Sequence, residues 1–205
     1  MNTEVKIIKP GYFKWIGKNR CKTGSNVILI RDSGKNILVD TGSQGEDKKI
    51  IVALKKEKLK PENIDIVIIT HPHADHIGNN FLFKNALFVD SLGEFRGDKF
   101  LLAKAERRIT ENVSITKTPG HALEDISIIA KNTKKGTIAV IGDLFWKAGD
   151  NKLIVFESPG KLKQSRKKIL KIADWIIPGH GKMFKPARCR RESGASLLNI
   201  YIKKI

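Results

Sequence analysis

Residues 64–76 read IDIVIITHPHADH. The first six positions are almost continuously apolar, as in a strand covered on both faces. Thr70 closes that run, and the next six positions hold His71, His73, Asp75 and His76. Side chains two apart in an extended or turning segment can converge on one ion, which suits His71 and His73. Asp75 and His76 are then displaced towards a neighbouring position. Imidazole with carboxylate suits zinc, and iron or manganese can also occupy such a set.

The other two of the five histidines fall in similar places. His121 follows Thr118-Pro119-Gly120, and His180 sits between Pro178-Gly179 and Gly181. Asp143 stands in Ile141-Gly142-Asp143-Leu144, just past a strand-like run. None lies in an amphipathic stretch where a packing role would be natural. Strand ends bring distant parts of a chain to one edge of a sheet, so His121, Asp143 and His180 can close the site. That many ligands exceed one tetrahedral zinc with an open position. They suit two metals sharing a bridging carboxylate.

Outward from this stretch, strands and helices alternate. Asn26–Arg31 and Asn36–Asp40 are β-type runs separated by Asp32-Ser33-Gly34-Lys35, a hairpin signal. Glu46–Lys58 carries Ile50, Ile51, Ala53 and Leu54 among lysines and reads as an amphipathic helix. Leu87–Asp90, Ser114–Thr118, Ile126–Ala130, Thr137–Ile141 and Trp175–Ile177 read as strands, and Lys161–Ala173 and Glu192–Ile202 as helices. The pattern predicts one layered α/β domain over residues 1–205.

Composition narrows the setting. At 205 residues and 40% hydrophobic content the chain can bury a sizeable core. No apolar stretch approaches the roughly 20 residues of a membrane span, and the N-terminus lacks the apolar run of an export signal. Cys21 and Cys189 make neither a disulfide framework nor a Cys-x-x-Cys knuckle, so the cytoplasm is the expected location. The formal net charge is +18, and residues 151–205 hold 14 basic against 3 acidic side chains. A concentrated excess suggests a polyanion partner, with a lysine-rich solvated surface as the alternative.

His-x-His-x-Asp-His at 71–76, followed in order by His121, Asp143 and His180, resembles the metallo-β-lactamase superfamily. Asp40-Thr41-Gly42 resembles that family's Asp-Thr-Gly turn. The resemblance implies a four-layer αβ/βα sandwich holding two zinc ions. One would take His71, His73 and His121; the other would take Asp75, His76 and His180, with Asp143 bridging the pair. Asp40 would support the ligands from beneath. Class B β-lactamases usually place a cysteine where Asp143 stands, and neither cysteine here can take that role by order. Ser165–Phe184 with Gly142-Asp143-Leu144-Phe145 is most similar to a subgroup linked to RNA cleavage, and some members of the wider fold also open β-lactams.

The implied chemistry is hydrolysis by a metal-bound water acidified towards pKa ~7 and oriented by Asp75. Its target would be a phosphodiester of RNA or single-stranded nucleic acid, or else a cyclic amide, ester or thioester, as in β-lactamases, lactonases and thioesterases. All five histidines are committed as ligands, so none remains to protonate a leaving group. Trp146 and Lys147 can sit at the mouth of the site, whereas Phe145 and Trp175 read as core. Lys163, Lys167 and Lys171, with Lys161, Arg166 and Lys168, are placed on one helix. Lys182, Lys185, Arg188, Arg190 and Arg191 follow His180. Together they form either a phosphate-binding rim or a solvated surface.

Overall fold

The computed structural model describes residues 2–149 and 157–186. The helix expected at Glu192–Ile202, and Arg188, Cys189, Arg190 and Arg191, lie outside the described residues. The strands are β1 (Glu4–Lys9), β2 (Tyr12–Gly17), β3 (Arg20–Gly24), β4 (Val27–Asp32), β5 (Lys35–Val39), β6 (Ile66–Ile68), β7 (Leu87–Val89), β8 (Gly93–Arg96), β9 (Lys99–Leu102), β10 (Arg107–Arg108), β11 (Val113–Lys117), β12 (Ile126–Thr133), β13 (Gly136–Val140) and β14 (Trp175–Ile177). The helices are α1 (Asp47–Lys56), the single turn α2 (Ala74–Ile77) and α3 (Pro159–Ile172).

One sheet has the order β1-β4-β5-β6-β7-β8-β9 and a second has β10-β11-β12-β13-β14, while β2 and β3 form a separate hairpin. β6 is parallel to both its neighbours, and β13 is parallel to β14, in otherwise antiparallel sheets. The two-residue period of a strand sorts the apolar runs between layers. In β4, Ile28 and Ile30 face the second sheet, where Ile126, Ile128, Ile138 and Val140 meet them. Val27 and Leu29 face the opposite way and pack with Ile50 and Leu54 of α1. Ile129, Ala139 and Ile176 likewise pack beneath Leu162 and Ile169 of α3. Each fully buried side chain of this kind contributes roughly 1.5–3 kcal/mol. The result is the four-layer helix–sheet–sheet–helix sandwich.

α3 begins two residues before the expected Lys161. Ser158 caps it by accepting from the Lys161 backbone N–H, and Pro159 needs no partner in the first turn. No helix among the described residues is long and apolar enough to cross a membrane.

The parallel strands β5, β6, β13 and β14 end at one rim of the sandwich. At the other rim, buried Asp32 fastens the sheets together. It accepts from Thr3 Oγ1 (2.8 Å), Thr110 Oγ1 (2.6 Å), Asn112 N (3.1 Å) and Asn112 Nδ2 (3.0 Å). Burial alone would raise the Asp32 carboxyl, but these donors hold it well below the usual carboxylate range. A depressed folded-state value stabilises the fold above pH ~4, and that contribution is lost as pH falls further. Asp32→Asn should therefore lower unfolding free energy by about 1–3 kcal/mol at neutral pH, and flatten the acid loss seen in the parent chain. Urea unfolding at neutral and acid pH measures both, and identical midpoints at neutral pH would refute the clasp.

Candidate metal centre

Five strand ends supply the site. Asp40 follows β5, Thr70 and His71 follow β6, His121 follows β11, Asp143 follows β13 and His180 follows β14. His73 precedes α2, which carries Asp75 and His76. The β14 loop is pinned to the first sheet by Asn26, whose Nδ2 donates to Pro178 O (2.7 Å) and Gly181 O (2.9 Å). Gly179 is required beside it, because a Cβ there would overlap Asp143 Oδ1.

The structure brings all seven expected ligands together. His71 Nε2 lies 3.1 Å from His73 Nδ1, which lies 2.9 Å from His121 Nε2. Asp75, His76 and His180 form a second group whose ligand atoms all fall within 4.8 Å. Asp143 stands between them. Its Oδ2 is 3.5 Å from His121 Nε2 and 3.1 Å from His180 Nε2, and its Oδ1 is 3.3 Å from His76 Nε2.

The outer atoms of three rings are already bonded. His76 Nδ1 meets Asp40 Oδ2 at 2.7 Å, His180 Nδ1 meets Gly24 O at 3.1 Å, and His71 Nδ1 meets Thr70 Oγ1 at 3.0 Å. Thr70 in turn donates its N–H to Asp40 Oδ1 (2.8 Å) and its hydroxyl to Asp40 Oδ2 (2.9 Å). Nδ1–H donation outward leaves each Nε2 lone pair directed inward, as a metal ligand requires. Buried His76 Nε2 and Asp143 Oδ1 have no hydrogen-bond partner. Facing imidazole nitrogens around a buried carboxylate, with orphaned atoms among them, fit divalent cations.

Electrostatics agree. Burial alone would raise Asp143, but the adjoining His76 and His180 hold its carboxyl well below the usual range. Burial lowers His71, and neighbouring His76 adds to that. Burial would lower His76 too, but Asp40 and Asp143 lift it well above the ordinary imidazole value, and Asp143 lifts His180. The site is anionic and gathers positive charge.

The remaining expected residues divide. Trp146 is half-buried at the mouth, with its ring 4.5 Å from Phe13 and 6.0 Å from His180. Lys147 and Lys182 are exposed beside Gly181. Lys163 and Lys167 are exposed on α3, whose first turn packs on Gly120. The file Lys163-Lys167-Lys171 therefore leads away from the site. Lys185 does not join the rim: its Nζ lies 5.4 Å over the Trp175 ring, at the start of β14 rather than at its ligand end. Lys168 is paired with Glu106, and Arg166 packs on Phe145 while donating to Leu144 O. Among the described residues, the basic side chains expected beside the site thus do not form one rim.

Three features escape sequence reading. Thr23 Oγ1 donates to Asp75 Oδ2 at 2.7 Å. Asp125 is buried behind His71, 3.9 Å from its Nδ1, with its carboxyl pushed up to about 7 by burial. The β2–β3 hairpin places Phe13 against Trp146 and leaves Trp15 49% exposed. Only the hairpin had a readable signal: residues 12–22 interleave three aromatic and four basic side chains with no acid.

Residues 22–129 match the metallo-β-lactamase superfamily. The chain is 33% identical over 189 residues to "Metallo-beta-lactamase domain-containing protein 1" of Xenopus laevis, covering 88% of this chain and 81% of that one. It is 37% identical over 183 residues to "Probable metallo-hydrolase MJ0296" of Methanocaldococcus jannaschii, covering 80% and 88%. Among solved structures, tm0894 of Thermotoga maritima aligns with a TM-score of 0.72 at 21% identity, covering 91% of this chain and 100% of that chain. The matched stretch carries the turn at Asp40 and the ligand atoms of His71, His73, Asp75, His76 and His121, and the chain belongs to the metallo-β-lactamase superfamily.

Proposed function

We propose that the chain is a dinuclear metal hydrolase that cleaves phosphodiester bonds of RNA or another single-stranded nucleic acid. Zinc is the favoured metal. His71, His73 and His121 would hold one ion and Asp75, His76 and His180 the other, with Asp143 facing both. Such ions supply Lewis acidity for negative oxygens and lower the pKa of bound water.

The chain's own residues do the rest. Asp75 has a side chain 17% exposed, against 5% for Asp143, and Thr23 donates to one of its oxygens. It is therefore the carboxylate placed to take a proton from an attacking water and to return it to a leaving oxygen. Phe13 and Trp146 wall the second group of ligands, and Trp15 stands edge-on to Phe13 at 5.3 Å. Lys14, Lys18, Arg20 and Lys22 are exposed on the same hairpin. Aromatic rings interleaved with cations beside a hydrolytic centre suit stacked bases and a phosphate backbone, each base stack being worth ~1–3 kcal/mol. This hairpin is the observation that carries the nucleic-acid reading.

Hydrolysis of a cyclic amide, ester or thioester is the second reading. It is favoured, for a thioester above all, by one observation: every histidine lies in the ligand cluster, and a thiolate can leave without a histidine to protonate it.

Metal analysis of zinc-replete protein should return two ions per chain, and Asp143→Ala should reduce both. A content fixed at one would refute the dinuclear centre. Asp40→Asn should weaken metal affinity or activity 10–100-fold without unfolding the chain, read by competition with a chromogenic chelator and by circular dichroism.

Reversing Lys14, Lys18 and Lys22 to Glu should cut the slope of RNA binding against salt by up to about one unit per lost phosphate contact. Turnover of a small neutral lactam should hardly change, and the corresponding reversal of Lys163, Lys167 and Lys171 should have the smaller effect on RNA. Unchanged RNA cleavage across a salt titration in the hairpin variant would favour the carbonyl substrates instead.

A further inference from the structure

β9 ends the first sheet, and its outer edge has no neighbouring strand among the described residues. All four of its residues are exposed, and three are large and apolar: Phe100 at 46%, Leu101 at 64% and Leu102 at 76%. Soluble proteins usually blunt such an edge with charge, proline or a bulge, because its open N–H and C=O groups recruit another strand. The Ala103 N–H bonds inward to Leu92 O, so by alternation the backbone groups of Leu101 also point inward. Those of Phe100 and Leu102 point out to the open edge.

We propose that this edge pairs with a second copy of the same chain, antiparallel about a two-fold axis at Leu101, joining two seven-stranded sheets into one. This rests on β9 alone and is independent of the function proposed above. The register sets Phe100 opposite Leu102 of the partner, both with outward backbone groups, as a hydrogen-bonded antiparallel pair requires. Neighbouring registers fail. An axis at Phe100 sets Leu102 against Asp98, which lies in the turn, and an axis at Leu102 sets Phe100 against Lys104, beyond the strand; only the axis at Leu101 pairs the three apolar residues with one another.

Charge selects this edge for self-association. The chain carries a net +18, which opposes contact between copies over most of its surface, yet residues 90–106 hold four acidic and three basic side chains. The apolar surface also continues inward. Phe100 stacks on Phe95 at 4.3 Å, and Phe95 lines a pocket of about 520 Å³ with Phe81, Phe88 and Pro72. Pro72 lies within the ligand loop, so the interface adjoins the back of the metal centre.

Sedimentation across a micromolar concentration series should show a species of twice 23.0 kDa. Leu101→Lys with Leu102→Lys should return it to the single mass with an unchanged circular dichroism spectrum. With Cys21 and Cys189 replaced by serine, Leu101→Cys should oxidise to a covalent dimer, because that position faces itself about 4.5 Å away between Cα atoms. Lys99→Cys should not, being offset from its copy by about 13 Å along the strand. A monomer at every concentration, or equal cross-linking at 99 and 101, would overturn the proposal.

Discussion

The carboxyl group of Asp40 joins the two halves of the ligand cluster. One of its oxygens holds the His76 ring directly and the other holds the Thr70 backbone, while the Thr70 hydroxyl carries the link onward to His71. His71 is grouped with His73 and His121, His76 with Asp75 and His180, and both with Asp143. A shift of Asp40 would therefore rotate rings on both sides of Asp143. The residue sits at φ +57, a left-handed conformation that short polar side chains tolerate better than others. That turn sends Thr41 across to α2, where its N–H bonds His76 O at 2.7 Å and Gly42 O receives the Gly78 N–H. The end of β5 thus fixes the backbone of the ligand turn as well as its rings. Nothing larger than glycine fits at 142, where φ is +49 and a Cβ would stand 2.7 Å from Thr70 Oγ1.

This rigidity gives metal and proton the same place to act. Asp40, Asp125 and Asp143 are all buried near the rings, in surroundings where a carboxylate needs a compensating cation. In the protein alone His76 and His180 answer by binding protons more tightly than a free imidazole. His71, His76 and His180 would hold a divalent cation in place of those protons, so metal loading and proton release would be one equilibrium. Because the Nδ1 atoms of His71, His76 and His180 are bonded outward, exchange of proton for metal requires no turning of these rings.

The sequence disclosed the residues that cluster because each stands at a strand exit or glycine turn, where no packing role competes for it. Asp40 was readable for the same reason. Thr23 and Asn26 were not: their partners Asp75 and Pro178 lie 52 and 152 positions away, and only the closed sandwich brings them together. The long apolar strands were legible because burial on both faces demands continuous hydrophobicity. β1–β3 and β8–β10 have no continuously buried apolar run, and β2, β3 and β9 are largely exposed, so pairing, not composition, makes them strands. Counting charge located a basic segment but could not tell that Lys168 faces Glu106, or that Lys185 faces Trp175. The more concentrated interleaving of rings and cations lay at residues 12–22, far from the segment where the count was highest.

Stability and chemistry occupy opposite rims of the sandwich. Among the described residues, the buried side-chain atoms without partners belong to Ser25, Glu46, His76, Asn79, Asp125 and Asp143. Each lies at the ligand rim or supports it: Ser25 donates its N–H to Asp75 O, Asn79 holds Thr41 and Ser43, and Glu46 takes the Ser43 N–H. An unmet buried polar atom costs about 1–3 kcal/mol, so this rim is the strained one. The opposite rim has none of them and carries the fully engaged Asp32 instead, while three apolar clusters fill the layers between. A metal centre needs ligands whose own bonding is incomplete, and they can persist only where the surrounding fold over-determines their positions. Fastening the sheets at the far rim leaves the near rim rigid without satisfying the atoms that must remain open to a cation.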